Sequence, residues 1–551
     1  MVRVIIDNQE YSFEFGTPFR DIARKFEPYH GMDILLVKAD DKICELHKCL
    51  NHERKLEFLT LADVTGQLTY ERSAIFIMLK AIHDEFPEVS LSDIRVDFKI
   101  KHGIFIQTKN LPPSEGICSK IRNRMKEIIE EKIPIYKMNV TLDEALYTFH
   151  VLKMIDKEKL FRYRRTSHVN LYEIDDFTDY FYGFMVHNTS YIKLFDLRPY
   201  DRGIMLLIPS MNHPDQIPNL EVPEKVFREL MHTNDWADAQ NLGTVAALND
   251  RISHDQFNNI VLIQEAHMEH QIAELAARIV NKGGVKIILI GGPSSSGKTT
   301  FSKKLSIQLQ AQGVNPQTIE CDNYFVDREK TPKDEKGNYD FECLEALDLE
   351  LLGKDIYSLI SGERVEMPVY NFRTGHREYN GKYLQMDENS VLVMEGIHCL
   401  NPKMLESIDD SCLFRIFINA LTPLNIDDHN YIHATDTRLI RRIIRDNRTR
   451  GYNATQTIRG WQSVRDGEEK YIMPFQNNAD AVFISSLVYE FSVLKPYAEA
   501  LLFSVDPDCP EYLEAKRLLK MLDYFLAIPS ESVPATSIVR EFIGGLAFDN
   551  L

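Results

Sequence analysis

The chain has no apolar run long enough to cross a bilayer. Its cleanest, Ala74 to Leu79, falls far short of the roughly 20 residues a spanning helix needs, so no membrane association is expected. It is also short of positive charge: 64 Lys and Arg against 82 Asp and Glu give a formal net charge of −18. Phosphate backbones attract basic surfaces, so this balance argues against general nucleic-acid binding. The 8 cysteines show no disulfide-scaffold spacing, and a cytoplasmic location is expected. The opening Met1-Val-Arg-Val-Ile-Ile-Asp7 alternates like a strand and lacks the layout of a signal peptide.

What is present is a soluble composition, 44% hydrophobic and 26% charged over 551 residues, enough for about three or four domains. The most informative stretch is Val285 to Gln312. An apolar run, Ile287 to Ile290, enters Gly292-Pro293-Ser294-Ser295-Ser296-Gly297-Lys298-Thr299-Thr300, which fits G-x-x-x-x-G-K-[ST]. A helical pattern follows, with Phe301, Leu305 and Leu309 spaced four apart and Gly313 placed to stop it. The two glycines permit a turn whose N–H groups point inward at a helix's positive end. Lys298 adds a cation for the terminal phosphates, and the Thr299 hydroxyl is placed to ligate Mg²⁺. A nucleoside-triphosphate site is expected. No base-reading N-K-x-D motif of GTPases follows the loop.

Further buried strands are expected at Thr318–Cys321, Ser390–Met394, Leu413–Ile418 and Ala481–Ile484, alternating with helices. That pattern implies a parallel α/β sheet with ligands at its carboxyl edge. Asp322 and Glu395 then emerge beside the loop: Asp322 to accept a substrate hydroxyl proton, Glu395 to hold Mg²⁺. Arg438, Arg441, Arg442 and Arg445 recur three and four apart, so they share a helix face that would close over triphosphate oxygens.

Residues 1–65 read as a small α+β unit, with a hairpin of Val2–Ile6 and Tyr11–Phe15 around Asn8 and a helix capped by Thr17 with Pro18 first. Cys44, His47, Cys49 and His52 crowd together, but Lys42 to Leu50 alternates like a strand, so ordinary strand residues are expected. Residues 66–205 form a second α+β unit. In it Lys157 to Arg165 is basic and aromatic, read either as an RNA contact through Phe161 or Tyr163 or as a solvated helix end. Residues 206–283 read as a helical connector with an amphipathic pattern of Ile263, Ala266, His270, Ala273, Ala277 and Val280, in which His267 and His270 are read as surface histidines. Residues 284–490 are the α/β unit, and 491–551 a helical extension packed on it.

Three resemblances attach to these residues. The pattern of 1–65 resembles the ubiquitin-like TGS domain. Lys132 to Ala145 and Asp175 to Thr189 resemble the threonyl-tRNA synthetase editing domain, whose H-x-x-x-H and C-x-x-x-H positions fall here on Glu71 and Ile75, and on Phe181 and Met185, so hydrolysis is not expected. Residues 284–490 resemble the uridine kinase and phosphoribulokinase family of P-loop kinases. The matching segments are Asp322-Asn-Tyr324-Phe325, Asn338-Tyr-Asp340-Phe341, Pro368-Val-Tyr370-Asn371-Phe372, Glu395-Gly396 and the arginine run, with Gln456 at a lid glutamine position. The resemblance implies ATP and Mg²⁺ as cofactors, with Asp322 as catalytic base and Lys298 and Arg441 acting in transfer. It implies acceptor contacts from Tyr324, Asp340, Tyr370, His376, Arg377 and Gln456. Departures occur at Tyr324-Phe325 (reversed), Asn371, Gly375 and Phe341-Glu342. The expected reaction is transfer to a nucleoside 5′-hydroxyl, with a sugar phosphate as alternative acceptor. A third reading is a nucleotide-regulated protein that binds RNA or a protein partner through residues 1–205. A homo-oligomer is expected.

Overall fold

The computed structural model describes residues 1–333, 337, 339–371, 373–406 and 408–550, leaving aside the side chains of 549 and 550. Asn338 and Phe372, both expected in acceptor segments, lie outside the described residues.

The amino-terminal hairpin pairs Val2–Ile6 with Gln9–Phe13. It turns at Asp7 and Asn8, which have φ of 51° and 63°, the left-handed pair a two-residue hairpin loop requires. Val2–Ile6 also runs parallel to Arg54–Leu59, which continues to Leu36–Ala39 and Lys42–Glu45. Helix Phe19–His30 buries Phe19, Ile22, Ala23 and Phe26 on this sheet. Its expected cap is displaced. Pro18 is extended and bridges Cys49, and the Thr17 hydroxyl donates to the Glu14 carbonyl instead (2.8 Å). The alternation of Lys42 to Leu50 is a strand only to Glu45, because the chain then turns back to make that bridge.

Beyond it, helix Val64–Glu85 is buried almost throughout. One sheet beside it contains Ile94–Ile100, Gly103–Thr108, Gly203–Leu207 and Asp196–Tyr200, and another Tyr136–Thr141, His168–Ile174 and Phe177–Asp179. The expected boundary at 205 cuts the strand Gly203–Leu207, whose every residue is paired to Gly103–Gln107. Helix Phe257–Lys282 follows, but its buried face is rotated by one position from the expected one, to Val261, Gln264, Glu265, Met268, Ile272, Leu275, Ala276 and Ile279. The polar members explain the rotation: Gln264 accepts from the Val488 N–H and Glu265 from the Tyr489 hydroxyl. Amphipathic counting treats both as outward residues.

The α/β unit has five parallel strands: β1 (Ile287–Gly291), β2 (Asn315–Glu320), β3 (Ser390–Gly396), β4 (Leu413–Asn419) and β5 (Ala481–Ile484), in the order β2-β3-β1-β4-β5. Four of the five coincide with expected apolar runs, and β1 and β3 are fully buried. β2, a mostly polar strand, starts and ends before the expected Thr318–Cys321, with Cys321 already in the turn that follows it. Helix α1 (Lys298–Ala311) follows β1, α2 (Ala434–Arg445) follows β4, α3 (Ala454–Tyr471) precedes β5, and α4 (Tyr512–Leu522) and α5 (Arg540–Ile543) lie in the carboxyl extension. Among the described residues no helix is long and apolar enough to cross a membrane.

The connection from β4 to α2 is clamped by the amino-terminal half. Lys157, with no exposed side chain, lies 3.3 Å from Asp179 and 3.4 Å from Asp427. His429 Nδ1 is 2.6 Å from Asp179, and Asn430 donates to the Tyr180 carbonyl (3.0 Å). Tyr431 donates to Glu71, which also takes Lys99 at 2.7 Å. Burial opposes the Glu71 charge, but Lys99 and His433 outweigh it and hold the carboxyl down at about 2. The Lys157–Arg165 run is a helix end of two faces: Lys159, Arg162 and Arg165 are exposed, as a solvated end requires, while Lys157 and Phe161 are buried. Lys157 is a core cation, and the Tyr163 hydroxyl donates to Asp250 (2.5 Å). Ile75, Phe181 and Met185 are packed as core.

Candidate active site

The phosphate loop sits between β1 and α1, at the carboxyl edge of the sheet. Gly292 is required there by proximity: a Cβ would stand 2.0 Å from the Ile418 carbonyl oxygen on β4. Gly297 has φ of 84°, where a side chain is strained, and Ser295 adopts φ of 61°. Lys298 Nζ donates to the Pro293 carbonyl within the loop (3.2 Å). Ser295 and Ser296 are buried, and the Ser485 hydroxyl after β5 donates to the Ser296 carbonyl (2.5 Å).

The Thr299 hydroxyl donates to Glu395 Oε1 at 2.6 Å. Glu395 stands near the end of β3, as its place after an apolar run predicts. Burial pushes its carboxyl up to about 8, Asp322 and Glu320 push the same way, and Lys298 opposes them. Asp322 lies in the short turn Cys321–Tyr324 after β2. Sequence and sheet order therefore bring Lys298, Thr299, Asp322 and Glu395 to one place.

Glu342 joins them unexpectedly. Burial pushes its carboxyl up to about 7, the charge of Glu468 adds to this, and Arg442 and Lys298 oppose it. Asp340, expected to face the acceptor, accepts from the Tyr471 hydroxyl (3.1 Å) and the Glu342 N–H (3.1 Å) instead. The only sequence signal for Glu342 was that it departs from the family pattern at that position.

The four arginines of α2 do not form one open anion-binding face. Arg438 is paired with Glu468 and donates to the Ser294 carbonyl (3.2 Å). Arg441 is fully buried, forked onto Glu490 (2.7 Å), and donates to the Ser295 carbonyl (3.4 Å). Arg441 thus braces the loop from beneath. Arg442 donates to the Ser294 hydroxyl (2.7 Å), and Arg445 pairs with Asp446 (2.9 Å). The anions that a row of guanidinium groups demands are carboxylates from α3, from the helix after β5 and from the end of α2 itself. Glu468 also accepts the Ser294 N–H (3.1 Å), one of the loop's own amides.

Several expected acceptor residues are engaged elsewhere. Tyr324 is fully buried with its hydroxyl on Asp355 (3.1 Å). Gln456 completes a capping box with Asn453 at the start of α3. Arg377 donates to Asp348 (3.0 Å) and the Phe325 carbonyl (3.1 Å), tying down the loop after Asp322. His376 is exposed beside Asp327 (3.4 Å). Tyr370 donates to the Gly375 carbonyl (3.2 Å), its ring 5.6 Å from Phe325.

The model of the Phosphoribulokinase / Uridine kinase family matches residues 287–489. The uridine kinase of Limosilactobacillus reuteri is 30% identical over 203 residues, spanning 37% of this chain and 84% of the relative. That of Halalkalibacterium halodurans is 28% identical over 197 residues, 36% of this chain and 84% of the relative. A solved structure described as a possible uridine kinase from Bacillus stearothermophilus aligns with a TM-score of 0.28 at 20% identity, over 39% of this chain and 99% of that one. Through the strands, phosphate loop and arginine helix of residues 287–489, the chain belongs to the phosphoribulokinase / uridine kinase family.

Proposed function

We propose that this chain transfers the γ-phosphate of ATP to the hydroxyl of a small molecule, a nucleoside 5′-hydroxyl in the reading its uridine kinase relatives support. One observation carries it: a phosphate loop whose Thr299 hydroxyl lies 2.6 Å from a buried carboxylate, Glu395, with Asp322 on the adjoining strand end. The loop amides and Lys298 neutralise the donor's charge. Thr299 and Glu395 supply two hard oxygen donors, which fits Mg²⁺, an ion that keeps waters and phosphate oxygens as its other ligands. Bound there, Mg²⁺ would offset charge on the transferring group. Asp322 takes the acceptor's proton as its oxygen bonds to phosphorus. Glu342, which feels the charges of Asp322 and Lys298, is placed to orient the acceptor.

A sugar phosphate is the second reading. It is favoured by the engagement elsewhere of Tyr324 and Gln456, two of the contacts expected for a nucleoside acceptor. For residues 1–65 and 66–205 we infer a TGS-like module and an editing-like domain without hydrolytic groups. The sheet order and the packing of Ile75, Phe181 and Met185 support this.

ATP consumption by the full chain, measured across nucleosides and sugar phosphates with Mg²⁺, tests the reading. Turnover with one acceptor class and its loss in Lys298→Ala are expected. Turnover surviving in Lys298→Ala would refute the assigned donor site.

A further inference from the structure

The carboxyl extension does more than pack on the sheet. After α4 it runs through Ser530–Ser532 and α5 onto the mouth of the phosphate loop. There the Glu541 carboxylate accepts from both the backbone N–H (3.2 Å) and the hydroxyl (2.7 Å) of Thr300. Thr300 is in the first turn of α1, behind the glycine loop, where free N–H groups and the helix's positive end favour an anion. Ile538 closes over the loop, with a methyl 2.8 Å from where a Cβ on Gly297 would stand.

The same segment is tied down by cations. Lys303 donates to the Phe548 carbonyl (3.2 Å) and Lys304 to the Thr536 carbonyl (3.0 Å). Arg448 donates to the carbonyls of Phe542 (3.0 Å) and Glu541 (2.6 Å). Arg448 belongs to the arginine run, and Lys303 to the helix that starts at the loop. All three hold peptide carbonyls of the extension, Lys304 while also paired with Glu269 (2.5 Å).

We propose that residues 537–548 are an internal plug: the Glu541 carboxylate occupies a phosphate seat at Thr300, so that donor nucleotide binds only by displacing it. This rests on the reading of the loop as the donor site. Glu541 brings one negative charge to donors suited to a phosphate oxygen, so a triphosphate, carrying more charge, competes for the same seat. The apparent affinity for nucleotide is then the intrinsic affinity reduced by the fraction of molecules with the plug released. A site that opens only against a competing carboxylate is protected from weak anions such as free phosphate.

Two measurements on the full chain test this. The first is the affinity for Mg²⁺-ATP, by calorimetry, of wild type, Glu541→Gln and Lys298→Ala. The glutamine keeps the shape and removes the charge; tighter binding by about tenfold is expected, the equivalent of one charged hydrogen bond of about 1.4 kcal/mol. The second is tryptic cleavage after Arg540, which the nucleotide should accelerate in wild type. Equal or weaker affinity in Glu541→Gln, while wild type binds in a Lys298-dependent way, overturns the plug and leaves the donor site standing. Slower cleavage with nucleotide also overturns it, since the segment would then be a wall of the bound state. Binding insensitive to Lys298, or none in any variant, overturns the donor site and the plug with it.

Discussion

The phosphate loop and the junction around Lys157 are both crowded with charge, and they treat it in opposite ways. At the junction Lys157, Asp179, Asp427 and His429 are all buried and paired with one another. Burial alone would push the Lys157 ammonium down, but Asp179, Asp427 and Asp156 outweigh it and hold it above its ordinary value. At the loop, the amide of Ser294 and the amide and hydroxyl of Thr300 are met by Glu468 and Glu541, carboxylates from remote helices. The junction is complete within the chain. On the proposed reading, the loop holds side chains where a ligand's oxygens would lie. Buried charge thus serves register at one place and recognition at the other.

Asp322→Asn should break the chemical side of this contrast most severely. It should lower kcat by about 10²–10⁴ while nucleotide affinity holds; an unchanged kcat would remove Asp322 from the proton transfer. Lys157→Met should break the structural side. Leaving Asp179 and Asp427 without their cation should cost about 3–5 kcal/mol, read as a lower urea midpoint with the activity of the folded fraction retained. A midpoint like wild type would mean the junction is not held by its charges. Gln456→Ala sharpens the comparison at the smallest scale. As the third-position partner in a capping box it should cost about 0.3–1.5 kcal/mol with KM for the acceptor unchanged; a raised KM would restore Gln456 to the acceptor site.

The loop was readable in the sequence because its physics is local. Gly292 and Gly297 are spaced for the turn, and the strand before and helix after are set by runs of apolar residues. Asp322 and Glu395 were readable for a related reason: each stands at the end of an expected strand, an apolar one for Glu395, and parallel sheets gather strand ends at one edge. The arginines show where that reasoning stops. Their spacing placed them on one helix, but it carried no sign that Glu468 and Glu490, 30 and 49 residues further along, would take two of them. Glu541 was missed on the same ground, since it sits in no motif, and Glu342 stood out only as a departure from one.

By itself the sequence determined the phosphate loop, the five strands and the α/β order, because backbone conformation and burial periodicity are properties of neighbouring residues. Only the tertiary structure decided which carboxylates meet which cations, that Tyr324 turns inward to Asp355, and that the chain's end returns to its phosphate loop. Those pairings join residues far apart in sequence. Their free energy depends on distance and desolvation in the folded molecule, and neither is written in the order of the residues.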